Sequence, residues 1–446
     1  MRFPLCLFNF VIAHILFSVF CPSTAENKFV TEVNPSCQSL CNNGTLLVYS
    51  RLQRSADSLH VFVTVGEGLG DVAISYAQFD DPKQVASVSW PDIFSANSTD
   101  KASALSFSNP KAKLMSKFTF AFTNLIEYSD KNDKVEIPTN PVNTTHVYPF
   151  SSFLWRLEQA PEILSNGLTQ FVLSAYSMME TMAPEVDPAT YSVDNAGDEQ
   201  LAEIFKKNGS SLKLKVQLSP TVGRADDLPQ LQFTSNNTQV EFQLKDLFSS
   251  VPDARFGVET VLLDGTPDAD GMQREQKIEY VLNIDDEFTP GVFRMSNWLS
   301  PDSCYAQWKP VCYKAEKRTI SNSTVVKHTD LVQLSVGLTE ALNNSFAYPL
   351  YGGDLLQLTG ARAINVTFGI PKDKFYAATN YTVWTVSVGL GQPPADAVST
   401  LVIIVILCGL GLPFLLMSAA VIYLCVRRCR QPAPDGAVSA YQPINA

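Results

Sequence analysis

Three adjacent acids, Asp285-Asp286-Glu287, supply the type of group that a glycosidase or an acid protease uses in pairs facing one bond. Neighbouring residues point to opposite faces of a strand, so the run reads as a solvated acidic turn, or one that holds an ion, before it reads as a catalytic pair. Asp264 to Gly271 spaces its acids as a calcium loop does, but no glutamate closes it, and a polar hairpin loop accounts for it. His60, His146 and His328 stand far apart with no cysteine beside them, which leaves no zinc spacing. Gly66-Glu-Gly-Leu-Gly70 lacks dinucleotide spacing and reads as a turn, and there is no Gly-x-Ser-x-Gly elbow, His-Glu-x-x-His pair or phosphate loop. Trp155, Trp298, Trp308 and Trp384 read as core residues rather than sugar platforms. No residue is assigned to catalysis, a cofactor or a metal.

The elements around these residues are strands. Period-two alternation recurs at Phe118 to Phe122, Leu212 to Leu218, Val240 to Leu244, Val332 to Leu338 and Tyr381 to Val388, with polar turn clusters between. This is the pattern of antiparallel sandwiches rather than of strand-helix-strand units, so the expected fold is mainly β, with sandwich-like domains followed by one transmembrane helix. The clearest helical pattern is Asp198 to Lys207, with Gly209 just past its end. Length favours two β domains, 26–200 and 201–395.

The two ends place those domains. Arg2, the apolar run Leu5 to Phe20 and the small residues Ser23-Thr24-Ala25 form a secretory signal peptide, residues 1–25. Residues 397–426 carry no charge and exceed the about 20 residues needed to cross a bilayer. Asp396 closes this span on one side and Arg427, Arg428 and Arg430 on the other, so the basic side is expected in the cytoplasm and the bulk of the chain in the lumen. Pro413 marks a bend. In the tail, residues 427–446, Tyr441-Gln442-Pro443-Ile444 resembles the extended signals read by clathrin adaptor complexes. Cys425 and Cys429 at the cytoplasmic edge are positioned for palmitoylation, or stand as ordinary thiols.

The 446 residues carry a net charge of -11, and removing Arg2 and the charges of the tail leaves the lumenal part at -14. Such a surface argues against nucleic acid, heparin or anionic lipid as ligand. Cys37, Cys41, Cys304 and Cys312 face the oxidising side; four cysteines allow three pairings, and the local pairs Cys37–Cys41 and Cys304–Cys312 are favoured. Glycosylation triplets begin at Asn43, Asn97, Asn143, Asn208, Asn236, Asn322, Asn343, Asn365 and Asn380. A coat of that density keeps proteases from exposed loops.

Longer motifs carry a resemblance. Ile284-Asp-Asp-Glu-Phe-Thr-Pro290-Gly-Val-Phe293, Ala306-Gln-Trp-Lys-Pro-Val311 with Tyr313, Asn365-Val-Thr-Phe-Gly369 and Gly389-Leu-Gly-Gln-Pro-Pro-Ala-Asp396 resemble the glycosylated lysosomal membrane protein family. Weaker similarity runs through Leu125 to Tyr128, Tyr148-Pro149 and Asn208 to Leu212, and the tail ends in a Tyr-x-x-Ile-Asn pattern at Asn445. The resemblance implies a non-enzymatic accessory subunit in the lysosomal membrane. Such a subunit binds a lysosomal major facilitator superfamily transporter of dipeptides and protects it from proteolysis. The four lumenal cysteines match no cysteine pattern that the resemblance supplies. A lumenal hydrolase and a cell-surface receptor or adhesion glycoprotein are the competing readings.

Overall fold

The computed structural model describes residues 28–41, 44–137, 145–176, 203–207, 209–249, 251–265, 275–282, 288–352, 355, 361–395 and 400–430. The chain divides into two units, Met1–Pro394 and Ala395–Ala446.

The first unit is mainly β. Its earlier strands are β1 (Phe29–Val33), β2 (Leu46–Gln53), β3 (Ser58–Gly66), β4 (Gly70–Phe79), β5 (Ala86–Val88), β6 (Leu105–Phe107), β7 (Leu114–Ser129), β8 (Thr145–Pro149), β9 (Leu154–Ile163) and β10 (Thr169–Tyr176). The later ones are β11 (Ser211–Leu218), β12 (Gly223–Arg224), β13 (Gln232–Phe233), β14 (Asn237–Lys245), β15 (Ala254–Asp264), β16 (Lys277–Leu282), β17 (Arg294–Ser300), β18 (Cys304–Trp308), β19 (Val311–Tyr313), β20 (Ser323–His328), β21 (Val332–Gln333), β22 (Arg362–Phe368) and β23 (Tyr381–Leu390).

All pairings are antiparallel. One layer runs β1-β2-β3-β4-β7-β15-β22. The other runs β9-β10-β11-β14-β23, and β23 then pairs with β18 along one half and β19 along the other. Strand β20 joins the layers, pairing with β19 through residues 323–325 and with β22 through residues 326–328. Alternation explains the packing: in β11, Leu212, Leu214 and Val216 are buried while Lys213 and Lys215 stay partly exposed. Between the layers, Phe122 of β7 stacks on Phe242 of β14 with ring centroids 5.9 Å apart, Phe242 stacks on Phe368 at 6.2 Å, and Trp384 meets Phe122 edge-on. Burying each such ring is worth about 1.5–3 kcal/mol.

These contacts cross residue 200. β10 pairs with β11 over seven residues and β7 with β15 over eleven, so the two domains expected at 26–200 and 201–395 share one pair of sheets and one core. Unit 1 continues to Pro394.

Two further expectations change. The alternation from Val332 to Leu338 ends after two residues of strand, because Ser335 caps a helix, Val336–Asn343, by accepting a hydrogen bond from the Leu338 N–H at 3.1 Å. Leu338 and Leu342, four residues apart, then face the outer side of the sheet beside Tyr351 and Leu263. Half of the helical pattern at Asp198 to Lys207, residues 198–202, and all of Asp285-Asp286-Glu287 lie outside the described residues; of the other half, Glu203 and Ile204 are helical. Gly66, Gly68 and Gly70 form the turn between β3 and β4, all with positive φ. A Cβ on Gly70 would lie 2.6 Å from the Ser345 Cβ.

The second unit is an apolar helix over Thr400–Cys429, long enough to cross a membrane. Its turns widen to π geometry over Leu407–Gly411, just ahead of Pro413. Pro413 lacks an N–H and its ring presses on the carbonyl four residues back, and the wider turn relieves that contact.

Candidate functional site

Two clusters of buried charge in unit 1, around Glu241 and around Arg255, are paired internally. Glu241 of β14 lies opposite Lys215 of β11 in the ladder, and Lys215 Nζ approaches its Oε2 to 2.8 Å. Arg318 grips the same carboxylate with two parallel bonds, Nη1 to Oε1 at 2.9 Å and Nη2 to Oε2 at 2.7 Å. Burial opposes charge on Glu241, but Arg318 and Lys215 outweigh it and hold the carboxyl below the usual range. Arg255 of β15, also buried, donates to Asp130 at 2.6 Å, to Asp373 at 2.7 Å and to Asp133, and to the Phe368 carbonyl.

His60 is fully buried, and burial pushes its imidazole down to about 3. Its neutral ring sits in a chain of hydrogen bonds. The Ala86 N–H donates to the Tyr49 hydroxyl, which lies 2.8 Å from Nδ1; on the far side Nε2 lies 3.0 Å from Ser58 Oγ, which donates to the Asp81 carbonyl. With Ser58 already donating, Nε2 carries the proton and Nδ1 accepts from Tyr49. This Ser-His-Tyr arrangement resembles acyl-transfer chemistry in residue type, yet Ser58 has no exposed surface and its proton is committed to a backbone carbonyl. His146 and Tyr148 both reach Glu127 Oε2, at 3.3 and 2.8 Å, while the Ser249 hydroxyl bonds Oε1. His328 bonds the Tyr280 hydroxyl at 2.9 Å. The three histidines thus stay apart, and no group of three His, Cys, Asp or Glu among the described residues could hold a metal.

Concave surface occurs at both sides of the β16–β17 hairpin. A cleft of about 370 Å³ is lined by Lys277, Glu279, Asn297 and Asp302. A groove of about 630 Å³ separates the hairpin from β19 and β20.

The cysteines divide. Cys37 and Cys41 form a disulfide with Cα atoms 5.8 Å apart. Cys304 and Cys312 do not bond each other: they lie opposite Leu390 and Trp384 of β23, and six residues at about 3.3 Å each put them about 20 Å apart. Burial pushes the Cys312 thiol well above its usual range. Cys425 and Cys429 are exposed one turn apart on the apolar helix.

Six glycosylation triplets fall among the described residues, and none of their asparagines is buried. Asn97 is exposed at a helix start, where its Oδ1 accepts from the Thr99 N–H and leaves that bond to the oxygen rather than to the nitrogen that carries a glycan. Asn236 Oδ1 accepts from Arg54 at 2.6 Å, and Asn322 Nδ2 donates to the Lys317 carbonyl. Asn343, Asn365 and Asn380 are partly exposed, Asn380 with a left-handed φ of 52°. Asn43, Asn143, Asn208 and the tail's Tyr441 and Ile444 lie outside the described residues.

Residues 46–431, from the second strand through both sheets and the apolar helix, match the model of one family, described as glycosylated lysosomal membrane protein. The chain belongs to that family. Glycosylated lysosomal membrane proteins similar to it include one from Danio rerio, 26% identical over 431 residues that cover 94% of this chain and 93% of the relative. One from Bos taurus is 26% identical over 410 residues, 90% of each chain, and one from Homo sapiens is 24% identical over 407 residues, 90% of this chain and 86% of the relative. The family is one of lysosomal membrane glycoproteins, and the unburied triplet asparagines and the apolar helix agree with that. The Arg255 and Glu241 clusters of this family member escape a reading of its sequence, because Arg255 lies 122 and 118 residues from Asp133 and Asp373, and Arg318 77 from Glu241.

Proposed function

We propose that this lysosomal membrane glycoprotein is a non-enzymatic accessory subunit that binds a major facilitator superfamily transporter of dipeptides and shields it from lysosomal proteases. In this reading the signal peptide is removed, unit 1 faces the lumen, the helix crosses once, and Tyr441 and Ile444 deliver the assembly through clathrin adaptor complexes. The observation that carries it is the use of the buried polar groups: Glu241, Arg255, Glu127 and His60 are each consumed by internal partners, which makes them braces of a rigid sandwich. The six described triplet asparagines are unburied, and glycans carried on them would make the sandwich a protease-resistant cover.

Affinity purification of the full chain in mild detergent tests this. A multi-pass transporter is expected to co-purify in stoichiometric amount and to lose most of its lysosomal half-life in cells lacking the chain. Recovery of the chain alone at full yield, with the transporter's half-life unchanged, overturns the proposal.

A further inference from the structure

The groove beside the β16–β17 hairpin differs from the rest of unit 1 in both polarity and charge. Its floor is Val311 and Val326, both buried, while its rim leaves large apolar groups in solvent: Tyr280 is 50% exposed, Phe293 51%, Val325 40% and Ile370 45%. The Arg294 guanidinium lies over the Tyr280 ring at 3.7 Å, and Lys327 adds a second cation to the wall. Neither Arg294 nor Lys327 forms an ion pair with a carboxylate among the described residues, although the region from 26 to 396 carries a net charge of -14. Every other buried or half-buried cation discussed above is neutralised by an acid of this chain, whereas the described lining of the groove holds Arg294 and Lys327 and no carboxylate.

The hairpin adds a backbone feature. Strand β16 is hydrogen-bonded only to β17 among the described residues, and five of its six side chains are exposed, Leu282 to 78%. An unpaired edge with apolar side chains is a site for adding another strand, and proteins that keep such an edge for themselves usually blunt it with charge or proline.

We infer that this groove and the outer edge of β16 dock one extended segment of the partner transporter, a lumenal loop that carries a carboxylate among apolar side chains. The carboxylate meets Arg294 and Lys327; the apolar side chains cover Tyr280, Val325 and Ile370; the loop's backbone extends the sheet at β16. Its volume of about 630 Å³ falls in the roughly 300–1,000 Å³ range of pockets that bury a ligand or a few side chains. A mixed patch of this kind gives specificity through charge and area through the apolar rim. The inference rests on the accessory-subunit reading, and the experiment separates the two.

In the full-length chain, a photo-crosslinking amino acid replaces Val325 in one variant and Val222, an exposed residue outside the groove, in a second. A third variant carries Arg294→Glu with Lys327→Glu. After irradiation in intact cells and purification in mild detergent, the Val325 variant is expected to give an adduct that peptide mapping assigns to an acidic lumenal loop of the multi-pass partner, and the Val222 variant none. The charge-reversed chain is expected to recover at least about tenfold less partner while retaining the thermal midpoint and glycan processing of the parent. If the parent recovers the transporter but Val325 yields no loop adduct, or yields one to a second copy of this chain, the groove assignment is wrong and the accessory reading stands. If the parent recovers no transporter at all, that reading fails first.

Discussion

Asp71 and His60 are buried in the same sheet and respond to pH in opposite directions. Burial pushes the Asp71 carboxyl up to about 6 even though its Oδ1 accepts a hydrogen bond from the Ser151 N–H at 2.8 Å. Between its ordinary value of 3.8 and about 6 the folded state holds more proton than the unfolded chain, so the contribution of this group is complete below 3.8 and is lost as pH rises to about 6. His60, at about 3 against an ordinary 6.5, does the reverse: its contribution is complete above 6.5 and is lost as pH falls toward 3. Over the range where both titrate the two slopes offset each other. Asp71→Asn is expected to raise stability at pH 7 by ~1–3 kcal/mol, with little change near pH 4, since two pKa units correspond to about 2.7 kcal/mol. Thermal melts across pH 4 to 7 check it, and a variant whose curve runs parallel to the parent's disproves it. His60→Gln should remove the opposite slope, leaving a protein that gains stability on acidification.

At the scale of elements, one carboxylate holds three pieces of chain. Glu241 lies in β14, Lys215 in the neighbouring β11, and Arg318 in the segment between β19 and β20. Removing Arg318 leaves a buried carboxylate with one partly exposed partner, so Arg318→Met is expected to destabilise by about 3–5 kcal/mol. Lys215→Met leaves the bidentate pair intact and should cost about 1 kcal/mol or less. Denaturant melts of the two variants separate the cases, and equal losses would show that Arg318 is not the principal partner. Strands such as β11, β14 and β23 were legible because one face is apolar and the other polar at period two, or because a continuous apolar run marks a strand covered on both sides. The Val332 to Leu338 alternation misled because Ser335 can cap a helix as readily as it can occupy a strand's polar face, and the apolar positions 338 and 342 fit the helical period. The glycosylation triplets are local motifs of three consecutive residues, so they are read without knowledge of the fold. The ion clusters join segments far apart in sequence and the groove joins four strands, and nothing in their neighbourhoods announces which partners folding brings together.

The whole molecule depends on pairing between its earlier and later strands. The single break near residue 200 that length favours would cut the β10–β11 ladder, the eleven-residue β7–β15 ladder and the stack of Phe122 on Phe242. It would also uncover Phe118, Phe120 and Phe122, all fully buried, along with Val258, Leu262, Phe242 and Trp384 on the other side. Losing one such aromatic contact set by Phe→Ala substitution costs about 3–5 kcal/mol, and a domain's entire margin is about 5–15 kcal/mol. Directed by residues 1–25, chains spanning 26–200 or 201–394 are therefore expected to be retained and degraded in the secretory pathway, and the same signal directs the longer chain, 26–394. A chain spanning 26–394, which ends where unit 1 ends, keeps both sheets, the Cys37–Cys41 bridge and both ion clusters. It is expected to be secreted as a soluble glycoprotein that melts in one cooperative transition, because one core cluster is built from residues of both halves. Secretion assays with deglycosidase treatment and calorimetry of the purified product read this directly. Two separate transitions, or efficient secretion of either half, would restore two domains in unit 1 and place the Phe122–Phe242 contact at an interface between domains rather than inside one.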